Sequence, residues 1–214
     1  TTDPGLDGWT ITAGTKTDTT ATVGGVVGQY TLYDTKANTA IAETVPTGWT
    51  QTFPTTATTI GTTDLFDATA NFGNFQDMTI SGLKFDDKNG NGILDTGETG
   101  IPGVTLNLTN ATTGAAIPAT TTDANGNYTL TGLKPLAGAA AYRVREAVPT
   151  GYTQTTTDPA DIPLQSGQTV TGQNFGNFKN ITISGTKFDD KNGNGILDTG
   201  EVAPATPFDI QLLN

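Results

Sequence analysis

The chain of 214 residues contains no cysteine and no histidine. Without cysteine there are no disulfide bonds, which often support small exported domains, so any robustness must have another source. Without histidine, and with serine only at Ser81, Ser166 and Ser184, the Ser-His-Asp and Cys-His arrangements of hydrolytic enzymes are excluded. We therefore expect a protein that is not an enzyme and whose only chemistry is on its own side chains.

Basic residues are also scarce, since 10 Lys and Arg stand against 21 Asp and Glu for a net charge of −11. A nucleic-acid partner requires a basic patch, so we predict none. An acidic surface instead attracts divalent cations. The longest run of small apolar residues, 136–142, is far too short for a membrane span, and we expect no span in this chain.

The residue types that are abundant favour strands and turns. Thr and Val favour strands, Gly, Asn and Asp favour turns, and no stretch longer than about ten residues shows a convincing helical period. Short alternating runs separated by turn residues are typical of a β-sandwich. We predict an all-β protein with its best-defined strands near 78–85, 103–109, 126–132, 141–148 and 168–178.

Two closely similar segments, 87–98 and 190–201, carry the pattern of an EF-hand-like calcium loop. A hard cation needs oxygen ligands on alternate residues, a glycine at the sharp turn and a bidentate carboxylate that closes the shell. The expected ligands are Asp87, Asn89, Asn91, Ile93 (carbonyl), Asp95 and Glu98, and then Asp190, Asn192, Asn194, Ile196 (carbonyl), Asp198 and Glu201. We predict that they bind Ca²⁺; the alternative is an acidic Asn-Gly hairpin turn.

These loops belong to an internal repeat of 103 residues, which also returns residues 71–75 at 174–178. The repeat divides the chain into three segments. Residues 1–76 form an incomplete sandwich that lacks its first strand and calcium loop, and residues 77–179 form a complete one. Residues 180–214 hold the first strand, the calcium loop and the second strand of a further domain.

The two-residue period of a strand predicts that three polar side chains per domain point into the core. They are Lys84, Glu146 and Asn177 in the complete domain, with Lys187, Glu43 and Asn74 as their copies; Phe66 and Ala68 share the face of Asn74. Desolvation lowers the pKa of a lysine towards a neutral amine and raises that of a glutamate. Such a pair beside an asparagine can form a Lys-Asn isopeptide bond with loss of ammonia. The alternative is a Lys-Glu ion pair whose lysine head reaches water.

The run Gly-x-Lys-Phe-Asp-Asp-x-Asn-Gly-Asn-Gly-x-x-Asp-x-Gly-Glu, followed by Thr-Asp-Ala-Asn-Gly-Asn-Tyr and Glu-x-x-Pro-x-Gly-Tyr, resembles the B-repeats of the serine-aspartate-repeat (Sdr) surface proteins. These belong to the wider Cna B-type family. The resemblance covers nearly the whole chain and implies tandem immunoglobulin-like or prealbumin-like sandwiches, structural calcium, an extracellular location and a role as a stalk or spacer.

The resemblance also implies roles for individual residues. In Cna B-type domains that form the bond, the lysine lies in the first strand, the asparagine in the last and the catalytic glutamate before Pro-x-Gly-Tyr. Lys84, Asn177 and Glu146 match these positions, and Glu43 matches the glutamate of the incomplete domain. Sdr-type repeats with the best calcium loops often lack the lysine, and Asn174 is an alternative reacting amide.

Two functions follow from this organisation. In the first, residues 180–214 donate their strand into residues 1–76 of the next copy, so the partners are copies of the same chain joined head to tail in a filament or surface fibre. In the second, the chain is part of a longer monomeric surface adhesin, with spacer or ligand-binding repeats and the pieces contiguous. The extra strand at 208–212 favours the second. N-glycosylation sequons stand at Asn107, Asn110, Asn127 and Asn180.

Overall fold

The computed structural model describes residues 3–33, 36, 38–56, 58–59, 69–138, 140–204 and 206–212. Phe66 and Ala68 lie outside the described residues. The chain divides into two compact units, Thr1–Lys179 and Asn180–Asn214. The regular secondary structure of the described residues consists of β-strands throughout, as the abundance of Thr and Val and the lack of a helical period predict.

The segment predicted to be an incomplete sandwich, residues 1–76, occupies the first part of the larger unit. Its strands are β1 (Thr10–Ala13), β2 (Lys16–Thr19), β3 (Ala21–Val23), β4 (Val26–Gln29), β5 (Ala40–Glu43), β6 (Trp49–Phe53), β7 (Thr58–Thr59) and β8 (Gly73–Gln76). They form one sheet in the order β2-β1-β5-β7 and two pairs, β3-β4 and β6-β8. Among the described residues of this segment, the buried core is small and centres on Ile11, Ala13 and Ile41.

The complete sandwich follows in the same unit. Its strands are β9 (Met78–Asp86), β10 (Thr105–Asn110), β11 (Ala116–Thr121), β12 (Asn127–Leu133), β13 (Ala141–Glu146), β14 (Tyr152–Gln154), β15 (Ile162–Pro163), β16 (Thr169–Val170) and β17 (Phe175–Lys179). One sheet has the order β11-β10-β13-β15 and the other β12-β9-β17-β14. β9 is central, because β12 pairs with it antiparallel while β16 and β17 pair parallel to it.

Alternating side chains of the two sheets fill the core of the complete sandwich. Its buried members are Met78, Ile80, Leu106, Leu108, Tyr128, Leu130, Leu133, Tyr142, Val144, Ile162 and Phe175. Burying aliphatic and aromatic side chains of this size contributes about 1.5–3 kcal/mol each to folding. Ile80 on β9 and Val144 on β13 are members of this core. The two-residue period of a strand therefore directs Lys84 inwards with Ile80, and Glu146 inwards with Val144.

The two sandwiches meet through hydrogen bonds as well as packing. The N–H of Gln76 donates to the Ser166 hydroxyl (2.8 Å), and the N–H of Gly167 donates to the carbonyl of Gln76 (2.9 Å). Phe75 packs against the core of the complete domain. The boundary at residue 76 therefore lies inside one compact unit.

The smaller unit, Asn180–Asn214, contains no strand among its described residues. Residues 181–188 are the repeat copy of β9, yet Ile183 is 72% exposed, where its counterpart Ile80 is fully buried. Phe208, Ile210 and Leu212 are also exposed. The segment thus carries the sequence of a core strand without the neighbours that would bury it.

Candidate functional site

Three strands bring Lys84, Glu146 and Asn177 together in the core of the complete domain. Lys84 Nζ lies 3.5 Å from Glu146 Oε2, and the side chains of both residues are fully buried. Asn177 Nδ2 donates a hydrogen bond of 3.2 Å to the same Glu146 oxygen. The pairing of β17 with β9 and the inward alternation of β13 produce this arrangement, so one carboxylate oxygen bridges an amine and a carboxamide.

Burial dominates the electrostatics of this cluster. It lowers the pKa of Lys84 to about 8, although the Glu146 carboxylate acts in the opposite direction. Burial likewise raises the pKa of Glu146, against the opposing effect of Lys84. Both shifts favour the uncharged forms, because a charge is costly in a medium of low dielectric constant. The cluster therefore tends towards a neutral amine beside a protonated acid.

Two buried oxygens of the cluster lack a hydrogen-bond partner among the described residues, Glu146 Oε1 and Asn177 Oδ1. Lys84 Nζ donates instead to the carbonyls of Phe175 (3.1 Å) and Phe85 (3.3 Å). Unpartnered buried acceptors are costly. A proton on Glu146 would give this pocket a donor, in agreement with the raised pKa of that carboxyl group.

The alternative amide, Asn174, has a different role. Its Oδ1 accepts the N–H of Leu83 at 3.0 Å, so it holds the β9 backbone at a place where β16 has ended and β17 has not begun. Asn177 rather than Asn174 carries the carboxamide that contacts Glu146.

The incomplete domain holds two members of the same cluster. Asn74 Nδ2 donates a hydrogen bond of 2.7 Å to Glu43 Oε1, and burial raises the pKa of the half-buried Glu43. The third member, Lys187, is exposed in the smaller unit, where it donates to the carbonyl of Phe188 (2.8 Å) and lies 5.0 Å from the Phe208 ring. Among its described residues, the larger unit therefore contains the acid and the amide of this second cluster without a lysine beside them.

Both calcium-type loops fold in the same way around their first aspartate. Asp87 accepts hydrogen bonds from the N–H groups of Gly90, Asn91 and Gly92, and Asp190 accepts the equivalent three. The N–H of Gly195 is the main cause that lowers the pKa of Asp190. Each first aspartate is therefore held as an anion inside its loop.

The other predicted ligands also turn inwards. Asn89 and Asn91 both donate to Asp95 Oδ2, and the two Glu98 oxygens accept the N–H groups of Lys88 and Asp95. The second loop repeats these contacts with Asn192, Asn194, Asp198 and Glu201. The hydrogen bonds thus hold the side chains of the pattern on the inside of each loop.

Carboxylates alone do not form a metal centre here, since no group of three or more His, Cys, Asp and Glu side chains in the described part of the chain is close enough to hold an ion. A calcium loop does not depend on carboxylates alone, because amide and backbone oxygens complete its shell. The donor set, with Asn89, Asn91 and the carbonyl of Ile93 in one loop and the carbonyl of Ile196 in the other, suits Ca²⁺ in its chemistry.

The four sequons differ in accessibility. Asn107, Asn127 and Asn180 are exposed. Asn110 is buried and its Oδ1 accepts the N–H groups of Thr112 and Thr113. A glycan on Asn110 is incompatible with this turn, because the buried amide has no room for a sugar.

Some important positions carried little signal in the sequence. A Cβ on Gly176 would lie 2.5 Å from the ring of Phe85, so this glycine lets the aromatic side chain of β9 lie flat on β17. The repeated Phe-Gly-Asn motif marked the position without revealing its partner. Likewise, Thr155 is an ordinary threonine in the sequence but contributes to the low pKa of Asp87, against the larger opposing effect of burial.

Residues 78–179 match the family model of the SdrD B-like domain. Serine-aspartate repeat-containing protein F of Staphylococcus epidermidis is 31% identical over 160 residues, which cover 68% of this chain and 10% of that protein. Serine-aspartate repeat-containing protein D of Staphylococcus aureus is 42% identical over 90 residues, 41% of this chain and 6% of that protein. The chain thus spans a tenth or less of the length of these relatives.

Solved structures with a similar arrangement include the minor pilin of Streptococcus agalactiae, with 16% identity, a TM-score of 0.35 and coverage of 53% of this chain and 49% of that one. A streptococcal ancillary pilin has 17% identity, a TM-score of 0.32 and coverage of 83% and 58%. TM-scores this low support no conclusion about function.

Residues 78–179 fold as a β-sandwich of two sheets with a shared core. Residues 78–179 are an Sdr B-repeat domain of the Cna B-type group. This is a family of extracellular surface proteins and not one of enzymes. Within the described residues, no helix is long and apolar enough to cross a membrane.

Proposed function

We propose that this chain is a structural subunit of an extracellular filament or cell-surface fibre, in which domains are joined head to tail by strand complementation. The observation that carries the proposal is the state of the β9 copy. Residues 181–188 have the sequence of a central strand, with Ile181 and Ile183 exposed. Exposed apolar residues on a strand-forming segment favour pairing with an open sheet edge.

The incomplete domain offers such an edge. In the complete domain β17 pairs with β14 on one side and with β9 on the other. Among the described residues, its counterpart β8 pairs with β6 alone. An edge with unpaired N–H and C=O groups accepts an incoming strand through main-chain hydrogen bonds.

The repeat offset gives the register of the proposed pairing. β17 and β9 pair Phe175 with Lys84 and Asn177 with Asp86. The equivalent parallel pairing sets Phe72 opposite Lys187 and Asn74 opposite Asp189. Lys187 would then enter the site where Asn74 already contacts Glu43. Because such a head-to-tail contact does not close on itself, it propagates into a fibre.

Expression of residues 1–214 tests this proposal. We expect head-to-tail polymers that resist boiling detergent, lose that resistance in Lys187→Ala, and do not form when residues 180–214 are deleted. Thr1–Lys179 is compact, so the deleted chain should stay folded. A soluble wild-type monomer at all concentrations rules the proposal out.

Within the complete domain we propose that Lys84 and Asn177 form an isopeptide bond. The neutral Lys84 amine attacks the Asn177 carboxamide carbon, a C–N bond forms, and the bond to Nδ2 breaks with release of ammonia. The protonated Glu146 donates its proton to the leaving nitrogen, and the resulting carboxylate takes a proton from the attacking amine. Support comes from the buried contacts of Glu146 with both reacting groups. A cross-link of this kind would constrain the unfolded chain much as a disulfide does.

Intact mass of the Lys187→Ala chain tests this bond separately from any bond between copies. We expect a mass lower than the sequence mass by one ammonia, and the full mass when Glu146→Ala is added. The full mass in the parent chain would leave Lys84 and Glu146 as an ion pair.

Calcium is the proposed structural cofactor of both loops. Asp87, Asn89, Asn91, the Ile93 carbonyl, Asp95 and Glu98 would hold one ion. Asp190, Asn192, Asn194, the Ile196 carbonyl, Asp198 and Glu201 would hold the other. The ion would supply a rigid link between the end of the first strand and the rest of the sandwich, and the inward hydrogen bonds of the ligand side chains support this assignment.

A second candidate function is a spacer stalk or a set of ligand-binding repeats in a longer monomeric adhesin. The alternating Phe208, Ile210 and Leu212 favour it, because β1 already fills the second-strand place of the incomplete domain. In that arrangement the first strand of each repeat would pair with the other strands of its own domain within the same chain. The polymer test above separates the two functions.

A further inference from the structure

The two calcium-type loops have the same twelve-residue sequence but different surroundings. In the complete domain, a Cβ on Gly90 would lie 3.6 Å from the Phe178 ring, and one on Gly92 would lie 3.0 Å from the Thr155 carbonyl. In the smaller unit, Gly193 and Gly195 have nothing within 4 Å. Since the sequences are identical, the difference comes from what each loop is packed against.

The first aspartate shows the same contrast. Asp87 is fully buried, and its N–H donates to the carbonyl of Asn177 at 2.9 Å. Asp190 is half-buried although its contacts inside the loop are the same. The loop of the complete domain therefore has an outer face that rests on the end of β17 and on the segment after β14. The internal fold of the loop is the same in both copies, so these outer contacts are what distinguishes them.

We propose that the face of the 190–201 loop that carries Gly193 and Gly195 is a second docking surface, separate from the donated strand, and that it packs on the next copy of this chain. The repeat offset identifies the receiving residues as Thr52, Phe75 and the carbonyl of Asn74, the counterparts of Thr155, Phe178 and the carbonyl of Asn177. This inference rests on the strand donation proposed above.

The proposed receiving surface is accessible to solvent at Thr52. Thr52 is exposed on β6, whereas its counterpart Thr155 is half-buried and its hydroxyl oxygen is inaccessible. In the complete domain the loop reaches this position, because a Cβ on Gly92 would lie 3.0 Å from the Thr155 carbonyl and the N–H of Gly92 donates to Asp87. Docking would therefore bring the Asp190 carboxylate next to Thr52, and the association becomes sensitive to a charge at position 52.

The test uses the full chain with Asn74→Ala, which prevents a bond between copies while it keeps the backbone carbonyl of residue 74, in a buffer with chelator. Thr52→Glu places a second carboxylate beside Asp190, and like charges brought together at an interface oppose association. We expect head-to-tail association, measured by sedimentation velocity, to weaken about tenfold. Thr55→Glu adds the same charge at another exposed position of this domain and should leave the association unchanged.

Adding Asp190→Asn to Thr52→Glu should restore most of the lost association, because one of the two facing charges is removed. Equal association of the Thr52→Glu and Thr55→Glu chains would overturn the loop surface while strand donation stands. Absence of association in the parent chain and in every variant would overturn donation and the loop surface together.

Discussion

At the scale of single residues, alternation along a strand was enough to predict which polar side chains point inwards. Lys84, Glu146 and Asn177 are all buried, since the two-residue period is a local property that the sequence displays directly. The contact of Lys84 with the carbonyl of Phe175 was not predictable, because it depends on the pairing of strands 91 residues apart in the chain.

The pKa of Lys84 gives a pH prediction for the chain without the bond. Burial lowers this pKa from 10.5 to about 8, so between these values the unfolded state binds more protons than the folded state, and stability rises with pH across the window. In Asn177→Ala the amine cannot react, and we expect the free energy of unfolding to rise by an amount on the order of 3 kcal/mol from pH 8 to 10.5.

Chemical denaturation of Asn177→Ala at several pH values checks this rise, with Asn177→Ala/Lys84→Met as the control that lacks the titrating group. In the wild-type chain, where the proposed bond would convert the amine to an amide, the rise should be absent, because an amide nitrogen does not titrate in this range. Identical pH profiles of the single and double variants would contradict the assignment of the rise to Lys84.

At the scale of elements, β9, β10, β12 and β13 lie within a few residues of the predicted strands. β11 was missed, because Pro118 and exposed side chains on both faces leave no alternating pattern at this sheet edge. The predicted run 168–178 is in fact two short strands, β16 and β17, with a break at Gly172, whose φ of 73° does not suit a strand.

Calcium removal gives the prediction for the loops. Excess chelator should lower the melting temperature of the complete domain, because it removes an ion that would bind only the folded loop. The expected affinity is in the weak extracellular range of roughly 0.1–1 mM. Asp87→Ala with Glu98→Ala should abolish this response. Asp190→Ala with Glu201→Ala is the matched control and should preserve it; calorimetry that finds the same melting temperature with and without chelator in the wild type would be incompatible with a structural ion.

The Gly176 and Phe85 contact gives a steric prediction for the donated strand. The equivalent residues at the proposed junction are Gly73 and Phe188, so Gly73→Val should block polymer formation by occupying the place of the Phe188 ring. Phe188→Ala in the same chain should restore polymers by removing that ring. Light scattering of both chains provides the measurement, and polymers of undiminished length in Gly73→Val would show that the register is wrong.

At the scale of the whole molecule, the repeat offset predicts a domain without its first strand and a segment that carries the sequence of one. The structure adds that Glu43 and Asn74 are already paired and that residues 181–187 are exposed. Sequence could not predict how the 190–201 loop differs from its twin, because two identical sequences have the same local preferences and differ only in tertiary surroundings.

Mixing two variants tests strand donation between copies most directly. Lys187→Ala can accept a strand but provides no amine, and Asn74→Ala can donate a strand but provides no reacting amide. Neither should form a detergent-resistant product alone, whereas their mixture should give a covalent dimer of one chain of each kind, in which mass spectrometry finds Lys187 joined to Asn74 with loss of one ammonia. A mixture in which both chains remain monomers, under native conditions as well as in detergent, would contradict head-to-tail complementation.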